Sequence, residues 1–266
     1  MVKQLRHILS LSGGKDSTAL AIYLRDRVPD MEYVFCDTKK ELPETYEYLD
    51  RVEAYLGKAV VRLCDERGFD HWLEVFGGFL PSSQMRWCTK MLKIKPFEKY
   101  VGDDPVRMYV GIRADEDRQA YVSTKPNITP AYPFKDDGIT RDDVLRILTE
   151  TVGVPPYHSW RTRSGCYFCF FQRKHEWAGL LENHPDLYQL AAKYEKVDTA
   201  GEAYTWGQSE SLTQLASPER LNEIRSSHNK SVSASEPTSS PRPLVDILQH
   251  SDDLDDGDHP CFFCHS

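Results

Sequence analysis

Several features are missing from this sequence, and each absence excludes something. No stretch approaches the roughly eighteen uninterrupted apolar residues of a membrane-spanning helix. The opening Met-Val-Lys-Gln-Leu-Arg-His runs straight into a strand-like segment without a signal-peptide apolar region, so a cytoplasmic protein is expected. Seven cysteines, an odd number without an export signal, argue against a disulfide framework and for metal or redox use. There is no basic excess: 33 Lys and Arg against 41 Asp and Glu give a net charge of −8, which excludes a protein that grips nucleic acid by its overall field. The acid is uneven, however. Residues 227–266 carry seven acidic side chains against Lys230 and Arg242, a net of −5, leaving −3 on residues 1–226 and room there for a local basic groove. A Walker A loop, Gly-x4-Gly-Lys-[Ser/Thr], is absent, and so is any fixed-period repeat. The 266 residues suffice to bury a full core.

What is present begins with Ser12-Gly13-Gly14-Lys15-Asp16-Ser17-Thr18, directly after the apolar run Ile8-Leu9-Ser10-Leu11. A helical pattern (Ala19, Leu20, Ile22, Tyr23, Leu24) follows at once. Glycine permits a tight turn and close approach of the backbone to a ligand. The amides opening the helix then form an anion site, to which Lys15 adds a cation and Ser12, Ser17 and Thr18 add hydroxyls. The bland alternative is a capped glycine turn.

Strand-like segments at 6–11, 32–37, 59–64 and 107–112 alternate with helical patterns at 16–27, 43–56 and 91–101. That alternation predicts an α/β fold, a parallel sheet with helices on both faces. Residues 140–152 read as a capped amphipathic helix closed by Pro155-Pro156, and 177–196 as helical again. From Ser226 to Pro243 the composition turns to Ser, Pro, Thr and Asn, the mark of a flexible linker, before an acidic stretch and a terminal Cys261-Phe262-Phe263-Cys264-His265-Ser266. The expected organisation is therefore 1–135, a nucleotide-binding domain; 136–225, a helical, cysteine-containing subdomain; and 226–266, a flexible acidic tail.

Asp37-Thr38 closes the second strand at the carboxyl edge, where open α/β sheets bind ligands, and Pro43-Glu44-Thr45 starts the next helix. Asp37 suits Mg²⁺ or a ligand hydroxyl; capping a turn is the alternative. Gly111-Ile112-Arg113 ends another apolar strand in a cation able to clamp a phosphate or sulfur oxyanion bidentately, unless it joins Asp115, Glu116, Asp117 and Arg118 in a surface charge cluster. Lys90, Lys93 and Lys95 read equally as a solvated helix face or as phosphate contacts.

Together these segments resemble the phosphoadenosine phosphosulfate reductase family of the pyrophosphate-loop ATP pyrophosphatases, over about residues 6–180. The motifs are Ser12–Thr18; Asp37-Thr38 with Leu42-Pro43-Glu44-Thr45; Arg86-Trp87-Cys88-Thr89 with Leu92-Lys93-Ile94-Lys95-Pro96; and Gly111–Glu116 with Arg118. The resemblance implies an adenine-nucleotide α-hydrolase-like sheet with the nucleotide at the carboxyl ends of its strands. It implies Ser12, Gly13, Gly14, Lys15, Asp16, Ser17, Thr18, Asp37, Thr38, Gly111 and Arg113 as nucleotide-binding residues, and Lys15, Asp16, Asp37, Arg113 and Cys88 as catalytic ones. Sulfate-assimilation reductases of the family attack a ready-made sulfonucleotide with a C-terminal cysteine, and their loop commonly departs from Ser-Gly-Gly-Lys-Asp-Ser. Here the loop is intact. The reductase tail Glu-Cys-Gly with a following His is absent, as is a Cys-Cys pair near Cys88.

The chain instead looks more like members that adenylate an oxygen with ATP and Mg²⁺ and exchange it for sulfur, with Val34–Thr38 and Glu41-Leu42-Pro43 reminiscent of the DNA phosphorothioation group. On that reading the sulfur donor is a cysteine desulfurase and the substrate is DNA, shared with other modification subunits; a homo-oligomer stays open. The alternatives are a sulfonucleotide reductase and a non-catalytic, ATP-bound scaffold for the desulfurase.

Cys166-Tyr167-Phe168-Cys169 is a Cys-x2-Cys pair. With Cys88 it supplies three soft ligands for a [4Fe–4S] cluster. Zinc fits the same spacing, and a persulfide on Cys88 or Cys169 is a third reading. Cys36 and Cys64 sit in apolar strand patterns and are expected in the core. Cys261 and Cys264 receive no role. Trp160, Tyr167, Phe168, Phe170, Phe171 and Trp177 interleave with Arg161, Arg163, Arg173 and Lys174, a composition suited to a nucleic-acid groove or to an apolar jacket around a metal.

Overall fold

The computed structural model describes residues 3–116, 125–197, 203–207 and 210–234. These fall into two compact units: one from the described residues within 1–78 and 86–166, the other from those within 79–85 and 167–234. The division at 166/167 differs from the expected boundary at 135/136. The helix after residue 140 carries Val144 and Leu148 into the same apolar core as the first sheet strands, so it belongs with the sheet.

Among the described residues of the first unit, five strands form one parallel sheet: β1 (Arg6–Ser10), β2 (Met31–Cys36), β3 (Val60–Leu63), β4 (Val106–Tyr109) and β5 (Ile128–Ala131), in the order β3-β2-β1-β4-β5. The helical segments of this unit are α1 (Lys15–Leu24), α2 (Pro43–Leu56), α3 (Gly68–Val75), α4 (Trp87–Thr89), a π-helical turn Lys90–Ile94, α5 (Lys95–Val101), α6 (Pro133–Asp136), α7 (Arg141–Thr149) and a 3-10 turn Pro156–Ser159. Side chains alternate across the sheet with period two. Leu9, Tyr33, Phe35 and Tyr109 join the core that contains α1, α2 and α7. Their neighbours Ile8, Val34 and Met108 are equally buried on the opposite face.

The strand order turns at β1, from which the chain first builds β2 and β3 to one side and later β4 and β5 to the other. Ser10 lies opposite Val34 and Leu9 opposite Tyr109, so the loops after β1, β2 and β4 leave from one carboxyl edge. The switch between β1 and β4 is where such sheets open a crevice.

Three departures from the periodicity have local causes. β5 holds Pro130, which gives no ladder donor, and it is tolerated because β5 is an edge strand. The expected helix 91–101 is interrupted by the π-helical turn just before Lys95-Pro96, since proline cannot donate to the carbonyl four residues back. The segment expected as one helix over 177–196 starts earlier and breaks at Pro185, giving α8 (Lys174–Asn183) and α9 (Pro185–Ala192).

In the second unit these two helices pack with the antiparallel pair β6 (Lys196–Val197) and β7 (Ala203–Tyr204), α10 (Leu212–Leu215) and α11 (Pro218–Ala234). Its centre is aromatic: Phe168 stacks on Trp206 at 5.0 Å between ring centroids, with Tyr194 set edge-on to both. Because α11 continues to Ala234, residues 226–234 are helix and not the linker that composition suggested. The remainder of the expected tail, with Cys261 and Cys264, lies outside the described residues, as does Arg118. Among the described residues no helix is long and apolar enough to cross a membrane.

Candidate functional site

The turn between β1 and α1 is held by its own hydroxyls. Ser12 N–H donates to Ser17 Oγ at 3.1 Å, the two serine Oγ atoms lie 3.0 Å apart, and Gly14 N–H donates to Ser12 Oγ at 3.3 Å. Ser17 Oγ in turn donates to the Gly14 carbonyl at 3.2 Å. Gly13 adopts φ +77°, in the region that favours glycine, and a Cβ there would stand 2.8 Å from Thr45 Cγ2. Thr18 is fully buried in α1. The turn thus presents the first amides of α1, which have no helical carbonyl to bond, at the carboxyl edge of the sheet.

The loop after β4 packs against it. A Cβ on Gly111 would lie 3.0 Å from the Asp16 carbonyl oxygen, so glycine lets the two backbones approach this closely without a shift. Arg113 Nη1 donates to the buried Asp16 Oδ1 at 3.0 Å, and its Nε donates to Asp115 Oδ1, also at 3.0 Å. Asp16 was expected on phosphate; here its carboxylate holds the arginine. Burial pushes the Asp16 carboxyl above its ordinary range, against the pull of Lys15 and Arg113. Burial pushes Lys15 down; Asp16 opposes that, while Arg113 and Arg141 add to it. A lysine partly stripped of water beside two further cations makes a setting that favours a bound anion.

Asp37 stands at the end of β2 with Oδ1 accepting from Lys39 N–H at 2.7 Å and from Tyr46 Oη at 2.8 Å. Burial, then the bond to Asp37, raises the Tyr46 phenol above its normal pKa, keeping it a donor. Among the described residues Lys39 is the non-glycine with a positive φ, 62°, so the chain turns sharply after the aspartate. Thr38 is buried and donates to Glu41 Oε1 at 2.9 Å.

A strap from the 3-10 turn to Cys166 reaches the glycine–lysine turn from a distant part of the sequence. Tyr157 Oη donates to the Gly13 carbonyl at 2.7 Å, and Ser164 Oγ donates to Ser12 Oγ at 3.1 Å. Arg161, only 2% exposed, donates to the carbonyls of Gly165 at 3.2 Å and Cys166 at 2.8 Å, so it serves the chain's own backbone and not a nucleic-acid phosphate. Sequence reasoning passed over Tyr157, Ser164 and Arg141 as site residues and used Glu41 only as part of a motif. Nothing in their spacing marks them, because each acts through a contact made only on folding.

The remaining expected residues divide. Lys90 and Lys95 are exposed while Lys93 is buried. Cys36 is buried and its Sγ donates to the Lys93 carbonyl at 3.6 Å; Cys64, expected in the core, is exposed because it falls just beyond the short β3. Cys88 lies part-exposed in α4, and Cys169 in the second unit, where its carbonyl accepts from Gln172 N–H at 2.9 Å. Tyr167, Phe168 and Trp177 are buried core residues of that unit. Among the described residues no group of three or more His, Cys, Asp or Glu side chains is arranged to hold a metal ion. Of the expected ligands, Cys88 and Cys166 belong to the first unit and Cys169 to the second, and the Cys166 thiol meets a hydroxyl and a carboxylate.

A parallel sheet that turns at β1, with a glycine–lysine loop and an arginine facing each other across the turning point, defines an adenine-nucleotide α-hydrolase-like α/β protein. The chain belongs to the phosphoadenosine phosphosulfate reductase domain family, whose model matches residues 6–149. It is similar to an uncharacterized protein of Methanocaldococcus jannaschii, 27% identical over 205 residues that cover 71% of this chain and 41% of the relative. An uncharacterized protein of Escherichia phage 186 is 27% identical, with 73% of this chain and 75% of the relative covered. The adenosine 5'-phosphosulfate reductase of Staphylococcus haemolyticus is 27% identical over 110 residues, 41% of this chain and 45% of that protein. The chain thus spans less than half the length of two of these curated relatives. The crystal structure of phosphoadenylyl-sulfate reductase from Candida auris in a phosphate complex shares the fold, with a TM-score of 0.50 and 14% identity over 62% of this chain and 82% of that one.

Proposed function

We propose that this protein is an ATP pyrophosphatase that adenylates a substrate oxygen so that sulfur can replace it. The observation that carries the reading is the intact loop, with Lys15 half-buried at the start of α1 and Arg113 held against the same turn by Asp16, a set of donors and cations that suits a polyanion. The amides opening α1 and Lys15 bind the leaving pyrophosphate and stabilise the charge that gathers on it. Arg113, aligned by Asp16 and Asp115, orients the reacting oxyanion. Asp37 fits a Mg²⁺ ligand, since its Oδ1 is fixed by two donors and its Oδ2 accepts no hydrogen bond from the described residues. When bound there, the ion neutralises phosphate charge.

The acceptor we favour is a phosphodiester oxygen of the DNA backbone, with sulfur supplied by a cysteine desulfurase and DNA presented together with other modification subunits. Its support is the likeness of Val34–Thr38 and Glu41-Leu42-Pro43 to that branch. A second reading, reduction of a sulfonucleotide, is favoured by the reductase relative and by the shared fold.

The deciding experiment is product analysis with ATP, Mg²⁺ and purified protein, wild type against Lys15→Ala. AMP and pyrophosphate, lost in the variant, support the proposal. ADP and phosphate, or intact ATP, overturn it, and thiol-dependent release of sulfite from a sulfonucleotide puts the reductase in its place.

A further inference from the structure

Just beyond the phosphate loop, β2 leads through Asp37, Thr38 and the left-handed Lys39 to Glu41, which forms an isolated antiparallel bridge with Cys166. Three side chains meet there. Thr38 Oγ1 donates to Glu41 Oε1 at 2.9 Å and lies 3.1 Å from Cys166 Sγ, while Cys166 Sγ lies 3.8 Å from the same carboxylate oxygen. Glu41 is only 6% exposed, and its second oxygen, Oε2, has no hydrogen-bond partner among the described residues. Leaving a buried carboxylate oxygen unsatisfied is unfavourable, so it points to a proton or ligand that the resting fold does not supply. Cys166 itself is part-exposed.

The strap places this thiol at the nucleotide site. Ser164, two residues before it, bonds to Ser12, Tyr157 bonds to Gly13, and Arg161 fixes the carbonyls of Gly165 and Cys166. We propose that Cys166 is a sulfur acceptor: its thiol attacks the outer sulfur of a donor persulfide while Glu41 takes the thiol proton. The new sulfur–sulfur bond forms at Cys166 as the donor's breaks. The donor leaves as a thiolate and is protonated from Glu41, so the exchange needs no oxidant or reductant. Cys166 then holds a persulfide beside the phosphate loop. The choice of sulfur as cargo rests on the proposed function.

The electrostatics agree with that role for Glu41. Burial raises its carboxyl above the ordinary range, bringing it nearer to a thiol's. Lys93, the Thr38 hydrogen bond and Arg161 pull the other way, and Asp37 adds to the rise.

The test is sulfur loading under anaerobic conditions without nucleotide, read by intact mass and peptide mapping. One arm uses inorganic polysulfide and the other a cysteine desulfurase with L-cysteine, so the arms separate a free donor from a protein-bound one. The proposal expects one dithiothreitol-removable sulfur on Cys166 in at least one arm, lost in Cys166→Ser and kept in Cys64→Ser. Glu41→Gln should slow loading by at least about tenfold, the low end of what a positioned base contributes. Should Glu41→Gln not fold, Glu41→Asp keeps the charge, withdraws the oxygen and should slow loading likewise. Sulfur on other cysteines with Cys166 unmodified, loading at wild-type rate in both Glu41 variants, or stoichiometric iron or zinc lost in Cys166→Ser each overturns it. Measuring AMP formation on the same preparations separates the two ideas: loading without ATP cleavage removes the pyrophosphatase and leaves the acceptor, and cleavage without loading does the reverse.

Discussion

Tyr157 donates its phenol hydrogen to the carbonyl of Gly13 at 2.7 Å across 144 residues of sequence, with the ring fully buried. The bond ties a segment outside the sheet to the phosphate loop. Burial raises the phenol well above its normal pKa, so it remains a donor at any physiological pH. In Tyr157→Phe the ring still packs, but the Gly13 carbonyl loses its partner in a buried setting. We expect a loss of about 1–2 kcal/mol in stability by denaturant unfolding, and weaker ATP binding by calorimetry of up to about tenfold. Unchanged nucleotide affinity would show that the strap does not shape the loop.

Gly13→Ala tests the loop geometry itself. The substitution meets two penalties: φ +77°, on the order of 1–3 kcal/mol, and a Cβ placed 2.8 Å from Thr45 Cγ2. Adding Thr45→Ser removes the clashing methyl and should recover part of the lost stability while nucleotide binding stays impaired, because the dihedral strain persists. Full recovery of binding in the double variant would mean that only the clash matters.

In the second unit the acid side of the stability curve should depend on Glu210. Arg220 grips both of its oxygens, at 2.8 and 2.9 Å, and Lys174 lies at 3.0 Å. The Arg220 hydrogen bonds, against burial and with help from Lys174, lower its pKa from 4.5 to about 2. A lowered folded-state value means that the contribution to stability is complete above the unfolded value and is lost as pH falls toward about 2. Glu210→Gln should therefore be less stable than wild type at neutral pH and flatter between pH 4.5 and about 2 in urea titrations. Parallel curves for the two proteins would contradict the assignment.

Local patterns made much of this protein legible. The alternation of strand and helix, the glycine–lysine loop after Ile8–Leu11, and the Thr140–Asp143 box that caps α7 are short-range relationships, and each is written in consecutive residues. Pro130 concealed β5 because proline argues against a strand wherever the partner on its donor side is unknown. Aromatic and basic residues between 160 and 177 left a nucleic-acid groove and an apolar jacket around a metal both open. Burial decided for core at Tyr167, Phe168 and Trp177, and turned Arg161 onto the chain's own carbonyls.

The sequence by itself determined the fold class and the place of the glycine–lysine turn, since hydrophobic period and glycine chemistry act over a few residues. Tertiary structure alone decided that Asp16 serves Arg113, that Tyr157 and Ser164 brace the loop, and that Cys166 meets Glu41. Those pairings join residues 97 to 152 positions apart. No periodicity spans such distances; only the packing of the loops at the carboxyl edge of the sheet brings them within reach.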